Sequence, residues 1–226
     1  CQYEGGKITK KLTVGRKGRT LSWSTAPSDM IYGNTQTVAA TVSEGEGTIT
    51  YSIDDNTYAT INSSTGEITA IGVTTMPITV TATISQTEQY ESASVIGKFI
   101  ITPASADFEW GNGWSSTVAR EMDYQASETL RVVCRTEGYS DYSVTYSVAD
   151  GDKQYVNITD SVVTVTKVKS SANVTVTATI SDNNGNYSDF VFETEIQTNK
   201  IDVSDEFIFS DVTLTYNGAG ENLDGH

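Results

Sequence analysis

The sequence predicts an all-β fold of tandem β-sandwiches, and three observations predict it. Thr, Ser, Val, Ile and Tyr dominate the 226 residues, only 3 prolines occur, and no stretch sustains the apolar spacing of a helix. One strand is present twice: Ile78 to Ser85 reads ITVTATIS and Val174 to Ser181 reads VTVTATIS, 96 residues apart. Its alternation puts Ile78, Val80, Ala82 and Ile84 on one face and Thr79, Thr81, Thr83 and Ser85 on the other, the period of a half-buried strand. Around each copy, short β-branched runs are separated by turn signals every 8–12 residues or so, the spacing of a sandwich.

The strands of the first copy can be placed in order. Leu21 to Thr25 opens it, Met30 to Tyr32 follows, and Gln36 to Ser43 alternates with Val38, Ala40 and Val42 inward. Thr48 to Ile53 puts Ile49, Tyr51 and Ile53 on one face. Tyr58 to Asn62 and Glu67 to Ile71 flank the turn Ser63 to Gly66; Ile78 to Ser85 is central, and Ser94 to Thr102 closes the module. The second copy follows the same plan. Thr50 to Ile53 becomes Thr145 to Val148, Tyr58 to Ile61 becomes Tyr155 to Ile158, and Val38, Ala40 and Val42 become Leu130, Val132 and Cys134.

The ends of the copies fix the repeat length. Tyr3 falls on Tyr90 and Trp23 on Trp110, both 87 residues apart; Tyr90 falls on Tyr187 and Trp110 on Phe207, both 97 apart. Self-similarity at this period is the mark of an array of modules. The expected organisation is residues 1–17 as the last strand of a preceding repeat, 18–104 and 105–201 as two complete repeats, and 202–226 as the start of a following one.

The formal net charge of -15 disfavours nucleic acid, whose phosphates need a basic footprint. Six of the 14 Lys and Arg lie in the first 20 residues: Lys7, Lys10, Lys11, Arg16, Lys17 and Arg19. The sequence assigns that basic segment to a different module with its own charge. No apolar run approaches the length that spans a bilayer as a helix. Of the two cysteines, Cys134 reads as a small buried hydrophobe and Cys1 belongs to another module, so no disulfide between them is expected.

The run Tyr58 to Ser85 carries a specific pattern: Tyr58-Ala59-Thr60-Ile61, a turn at Gly66, Ile68-Thr69-Ala70, a turn at Gly72, then Ile78-Thr79-Val80-Thr81-Ala82. The ending Gln89-Tyr90-Glu91-Ser92-Ala93-Ser94 completes it. This resembles the bacterial immunoglobulin-like repeats of group 2, found in invasin- and intimin-like surface proteins, other large adhesins and some phage virion proteins. The second copy departs from the pattern: Asp160-Ser161 replaces the Ser-Thr-Gly turn, and Lys167 to Ser171 replaces the Gly-containing turn. The resemblance implies tandem immunoglobulin-like sandwiches of seven strands, an extracellular setting on a bacterial surface or in secretion, and no catalysis. It carries over no functional residue, because the shared positions are core and turn positions.

The residues themselves also argue against an enzyme. The only histidine is His226, so a His-based triad has no candidate inside a fold. Cys134 lacks a histidine partner, and clustered zinc ligands are absent. Calcium is the cofactor alternative at Ser181 to Asp189, where Asp182, Asn184, Asn186 and Asp189 surround Gly185, although Asn-Gly is itself a turn signal. Asp150, Gly151 and Asp152 read the same way.

Function should therefore lie where the repeats differ, chiefly residues 111–142, or outside this segment. Trp114 in a polar loop and Tyr139 and Tyr142 are extra to the second repeat and are the candidate ligand-binding residues, for a host protein or glycan. Trp23, Trp110 and Phe207 occupy one equivalent position and read as core or inter-module packing. The expected role is a spacer or structural stalk whose partners are neighbouring repeats. The alternatives are an adhesion module or a phage virion or filament protein.

Overall fold

The computed structural model describes residues 10–201. Of the strand expected in 1–17, residues 1–9 lie outside the described residues and residues 10–16 form no strand; Leu12 and Val14 are exposed and Lys17 alone makes a bridge. The expected start of a further repeat, 202–226, including Phe207 and His226, lies outside them, as does Cys1.

The first strand set is β1 (Leu21–Thr25), β2 (Met30–Ile31), β3 (Thr35–Thr37), β4 (Ala39–Val42), β5 (Ile49–Ile53), β6 (Ala59–Ile61), β7 (Glu67–Ala70), β8 (Ile78–Ile84), β9 (Ala93–Phe99) and β10 (Ile101–Thr102). Strands β1-β4 and β3-β7-β6 pair antiparallel, β5-β8-β9 forms a second antiparallel sheet, and β10 pairs parallel with β2. The expected strand Gln36 to Ser43 is broken at Val38. Its N–H donates to Gly66 O at 3.0 Å, the last step of the β3–β7 register, and beyond it the chain changes partner, so β3 pairs with β7 while β4 pairs with β1. The closing strand breaks likewise at Ile100, whose N–H donates to Asp29 Oδ1 at 2.9 Å.

The inward faces meet in one core. Leu21, Val38, Ala59 and Ile68 come from one sheet group and Tyr51, Ile78, Val80, Ala82, Ile84 and Phe99 from the other. The alternation read for ITVTATIS is the observed one: Ile78, Val80, Ala82 and Ile84 are buried and the threonines between them are half-exposed. Each fully buried Ile or Val is worth roughly 1.5–3 kcal/mol relative to exposure.

The second set is β11 (Phe108–Trp110), β12 (Arg120–Asp123), β13 (Ser127–Thr129), β14 (Val132–Cys134), β15 (Tyr142–Val148), β16 (Val156–Thr159), β17 (Val162–Val165), β18 (Val174–Asp182) and β19 (Phe190–Asn199). Its order is β11-β14, β13-β17-β16 and β12-β19-β18-β15, with β12 parallel to β19 as β2 is to β10. The same strand order is thus written twice, and the fold class is all-β with tandem immunoglobulin-like sandwiches. Val174, Val176, Ala178 and Ile180 are buried as in β8. Cys134 is half-buried, more exposed than the sequence suggests, and its Sγ lies 3.7 Å from Thr136 O.

Both departures from the repeat pattern keep their turns. Gly66 has φ 73°, and a Cβ there would lie 2.4 Å from Val38 O, so only glycine fits. The second set uses Asp160 at φ 56°, a residue type that tolerates the left-handed region. Lys167 stands where Gly72 stands: both N–H groups donate to the matching tyrosine carbonyl, Tyr155 O at 3.1 Å and Tyr58 O at 3.0 Å.

By compactness the chain divides into one unit of Cys1–Glu109, Val132–Thr145 and Ala178–Phe192 and another of Trp110–Arg131, Tyr146–Thr177 and Glu193–His226. The first holds the core just described and the aromatic cluster around Phe108. The second holds the three-stranded sheet β13-β17-β16, with Leu130, Val156, Val163 and Val165 buried.

Candidate functional site

Tyr139 and Asp141, from the segment that distinguishes the second repeat, meet the turn joining β18 to β19. Asp182 is its organiser: Oδ2 accepts the N–H groups of Asn186 (2.5 Å) and Tyr187 (3.2 Å), and Oδ1 accepts the Tyr139 hydroxyl at 2.9 Å. Asp141 holds the other side, accepting from Asn183 Nδ2 and Asn184 Nδ2 at 2.7 Å each. Tyr139 stacks on Tyr187 with ring centroids 4.0 Å apart, and Tyr187 meets Tyr32 edge-on at 5.5 Å. A cleft of about 190 Å³ opens here, lined by Tyr32, Tyr139, Asp141, Asp182, Asn184 and Tyr187 among others.

The electrostatics follow from these contacts. Burial raises the Tyr139 phenol well above its ordinary value, and the adjacent Asp182 carboxylate raises it further, so it stays a neutral donor. Burial, with Tyr32 and Asp182 nearby, raises Tyr187 as well. The Asn183 and Asn184 amides hold Asp141 below the usual carboxylate value.

Calcium would have to compete with these bonds. Both Asp182 oxygens, both Asp141 oxygens and Asn186 Oδ1 already accept protein hydrogens, and Asp189 is exposed beyond the cluster. The arrangement is a hydrogen-bonded turn. Among the described residues no group of three or more His, Cys, Asp or Glu is placed to hold a metal ion. Asp150 pairs with Lys153, and half-buried Asp152 pairs with Lys169 at 2.6 Å.

The three candidate residues fare differently. Trp114 keeps only 4 % of its surface: its Nε1 donates to Thr129 O at 3.0 Å, Trp110 packs at 6.3 Å and the Arg120 guanidinium lies over its ring. It offers no face to a glycan. Tyr142 is half-buried, edge-on to Phe108 at 5.1 Å. Tyr139 alone reaches the cleft, with its hydroxyl committed to Asp182.

No family model and no curated protein matches this chain. Among solved structures it is similar to Drosophila N-cadherin EC1-3 (10% identity, 82% of this chain and 68% of that one, TM-score 0.32). It is also similar to the insect immune protein hemolin (14%, 79% and 46%, 0.37) and to the tandem Ig repeats of Dlar (7%, 80% and 98%, 0.28). The chain spans less than half of the hemolin chain it matches.

Two sets of contacts escaped the sequence. One is that of Asn186, whose Oδ1 accepts the Val73 N–H at 3.2 Å, while its carbonyl accepts the Ala104 N–H and Ala104 O accepts the Ser188 N–H. The other is that of the basic segment. Arg16 Nε donates to Thr87 O, Lys17 N–H to Gln89 O, and Lys17 O accepts the Glu91 N–H. Buried Arg19 donates to the carbonyls of Glu91, Glu46 and Ser85. These basic residues hold the β8–β9 turn, so their charge is not simply a property of a different module.

Proposed function

We propose that this chain is a non-catalytic segment of group 2 bacterial immunoglobulin-like repeats, acting as a spacer or stalk in an extracellular surface protein. The observation that supports it is a joint made twice. Lys17 forms a parallel bridge with Tyr90, and Ala104 forms the same bridge with Tyr187. The hydrogen bonds correspond as well: 2.8 and 3.0 Å at the first bridge, 3.0 and 2.9 Å at the second. Each repeat clamps the segment leading into it to its own β8–β9 or β18–β19 turn, which restricts bending at the linker. An array built to bear load and hold spacing needs this at every step, and its residues are neither catalytic nor ligand-presenting.

Single-molecule force spectroscopy tests the reading. Two separate unfolding events, each releasing about 30 nm of chain for roughly 90 residues, are expected. A single event, or release at negligible force, would overturn it.

The second reading, adhesion through loops of the second repeat, is favoured by the Tyr139–Asp141–Asn184 rim of the cleft, where a phenol, a carboxylate and an amide border one concavity. Glycan arrays and host-protein panels should then give binding that Tyr139→Ala removes. Silence on both would end this reading.

A further inference from the structure

We propose that Tyr139 and Tyr187 form an oxidative modification site, at which one-electron oxidants join the two rings by a carbon–carbon bond into dityrosine. The pair stacks with ring centroids 4.0 Å apart and ring planes 22° apart. Aromatic pairs usually sit about 4.5–7 Å apart, so these rings are closer than ordinary packing brings them. The neighbouring tyrosines are set differently. Tyr32 meets Tyr187 edge-on at 5.5 Å, and Tyr142 lies 5.5 Å from Tyr139 with the planes 49° apart. Of these three pairs, only the stacked one faces ring carbons to ring carbons.

One carboxylate sets up the stack. Tyr139 lies in the loop before β15, after Gly138 at φ 73°, and its N–H closes a turn on Thr136 O. Tyr187 follows the turn after β18. Asp182 ties the two together: Oδ2 accepts the Tyr187 N–H at 3.2 Å, and Oδ1 accepts the Tyr139 hydroxyl at 2.9 Å. One ring is thus fixed through its backbone and the other through its phenol, so the folded chain holds the pair in register.

The same contact supplies the chemistry. Burial and the Asp182 carboxylate keep the Tyr139 phenol protonated, so an electron leaves it readily only if the proton leaves too. Asp182 is in place to take that proton. The Tyr187 proton leaves to solvent through the cleft of about 190 Å³ that both rings line. The two radicals then couple at ring carbons beside their oxygens, and the hydrogens on those carbons move to the oxygens and restore two phenols. The net change is the loss of two electrons and two protons, which hydrogen peroxide would accept to give two waters. The Cys134 thiol neighbours both phenols and competes as a reductant.

The bond has a structural consequence. Tyr139 and Tyr187 lie 48 residues apart, so joining them closes a long loop and constrains the unfolded chain. The staple is set only after folding, because folding is what stacks the rings. This proposal rests on the stacked pair and not on the spacer reading.

Photo-oxidation of the 226-residue protein with a ruthenium tris-bipyridyl complex and persulfate tests it, at micromolar dilution to suppress bonds between molecules. The monomer should gain dityrosine fluorescence and lose the mass of two hydrogens. Trypsin should then release residues 136–153 joined to residues 170–200, where Tyr187 is the only tyrosine, and tandem mass spectrometry should place the other end of the bond at Tyr139. Tyr139→Phe and Tyr187→Phe should each abolish this linked peptide, and Tyr142→Phe should leave it. Urea that unfolds the protein should abolish it as well. Pulled from its ends, the oxidised protein should release about 16 nm less chain, the length held in the closed loop. Circular dichroism melts confirm that the variants are folded. Absence of the linked peptide both from the parent and from Cys134→Ala, which removes the competing thiol, would overturn the proposal. So would a bond that survives Tyr139→Phe, is lost in Tyr142→Phe or forms equally well in urea, or an unchanged release of chain under force.

Discussion

Tyr51 stacks on Trp23 with ring centroids 6.5 Å apart, and its phenol oxygen accepts the Ala40 N–H at 3.2 Å. Ala40 lies in β4, just past the break at Val38, where the ladder alone does not complete the pairing. The tyrosine thus packs and at the same time satisfies a buried donor. Tyr51→Phe keeps the ring and orphans the N–H, so it should cost about 1–3 kcal/mol. Urea unfolding with an unchanged m-value checks it.

Gly97 shows how tightly the same tryptophan is enclosed. A Cβ at Gly97 would sit 2.4 Å from Pro27 Cγ and 3.2 Å from Trp23 Nε1. Proline is rigid and the half-buried indole has its Nε1 enclosed, so neither yields cheaply. Gly97→Ala should destabilise by about 1–3 kcal/mol through overpacking, and the additional Pro27→Ala change should recover part of it. At the matching place the second set carries buried Thr194, whose Oγ1 donates to Ser115 O at 2.6 Å.

These cases show what the sequence made legible. Strand positions followed from alternation, since period 2 is imposed by the pleat, and β8 matched residue by residue. The breaks at Val38 and Ile100 were not legible, because each depends on a partner far along the chain, Gly66 O or Asp29 Oδ1. The candidate ligand residues were chosen for being extra and aromatic. That criterion cannot separate a presented ring from a packed one: Trp114 is enclosed by Trp110 and Arg120, while Tyr139 reaches a cleft. Asn186 was legible as a turn residue and as a calcium-ligand alternative, but not as the acceptor of the Val73 N–H, which is not local.

Arg19 offers a test of the clamp. Its three guanidinium nitrogens reach three carbonyls, Glu91 O, Glu46 O and Ser85 O, from a buried position. Lysine keeps the charge and loses the fork, so it satisfies fewer of these acceptors. Arg19→Lys should cost about 2–3 kcal/mol. Faster amide exchange should appear at Lys17 and Glu91, whose N–H groups form the bridge.

Trp114→Ala separates packing from recognition. Removing a buried indole should cost about 3–5 kcal/mol and lower the melting temperature. Trp114→Phe, which retains most of the packing, should recover much of that loss. A melting temperature unchanged in Trp114→Ala would contradict the packed geometry.

Acid should loosen the β18–β19 turn through Asp141. The Asn183 and Asn184 amides stabilise its ionised form, so its folded value lies below the ordinary 3.8. With the folded value depressed, its contribution is complete above about pH 4 and is lost as pH falls through the folded value. Asp54 acts in the same direction. Burial pushes it up, but the Thr79 N–H at 2.8 Å and the Thr79 hydroxyl outweigh burial and leave it low. Both groups lie near the surface, so salt should shrink the effect. Melting temperatures measured from pH 7 to pH 2 should show Asp141→Asn less stable than the parent at neutral pH, with the two curves converging below about pH 3 as the parent's own carboxylate protonates. Curves that run parallel to pH 2 would mean that Asp141 titrates alike in the folded and unfolded chain, and that the amide pair does not hold it.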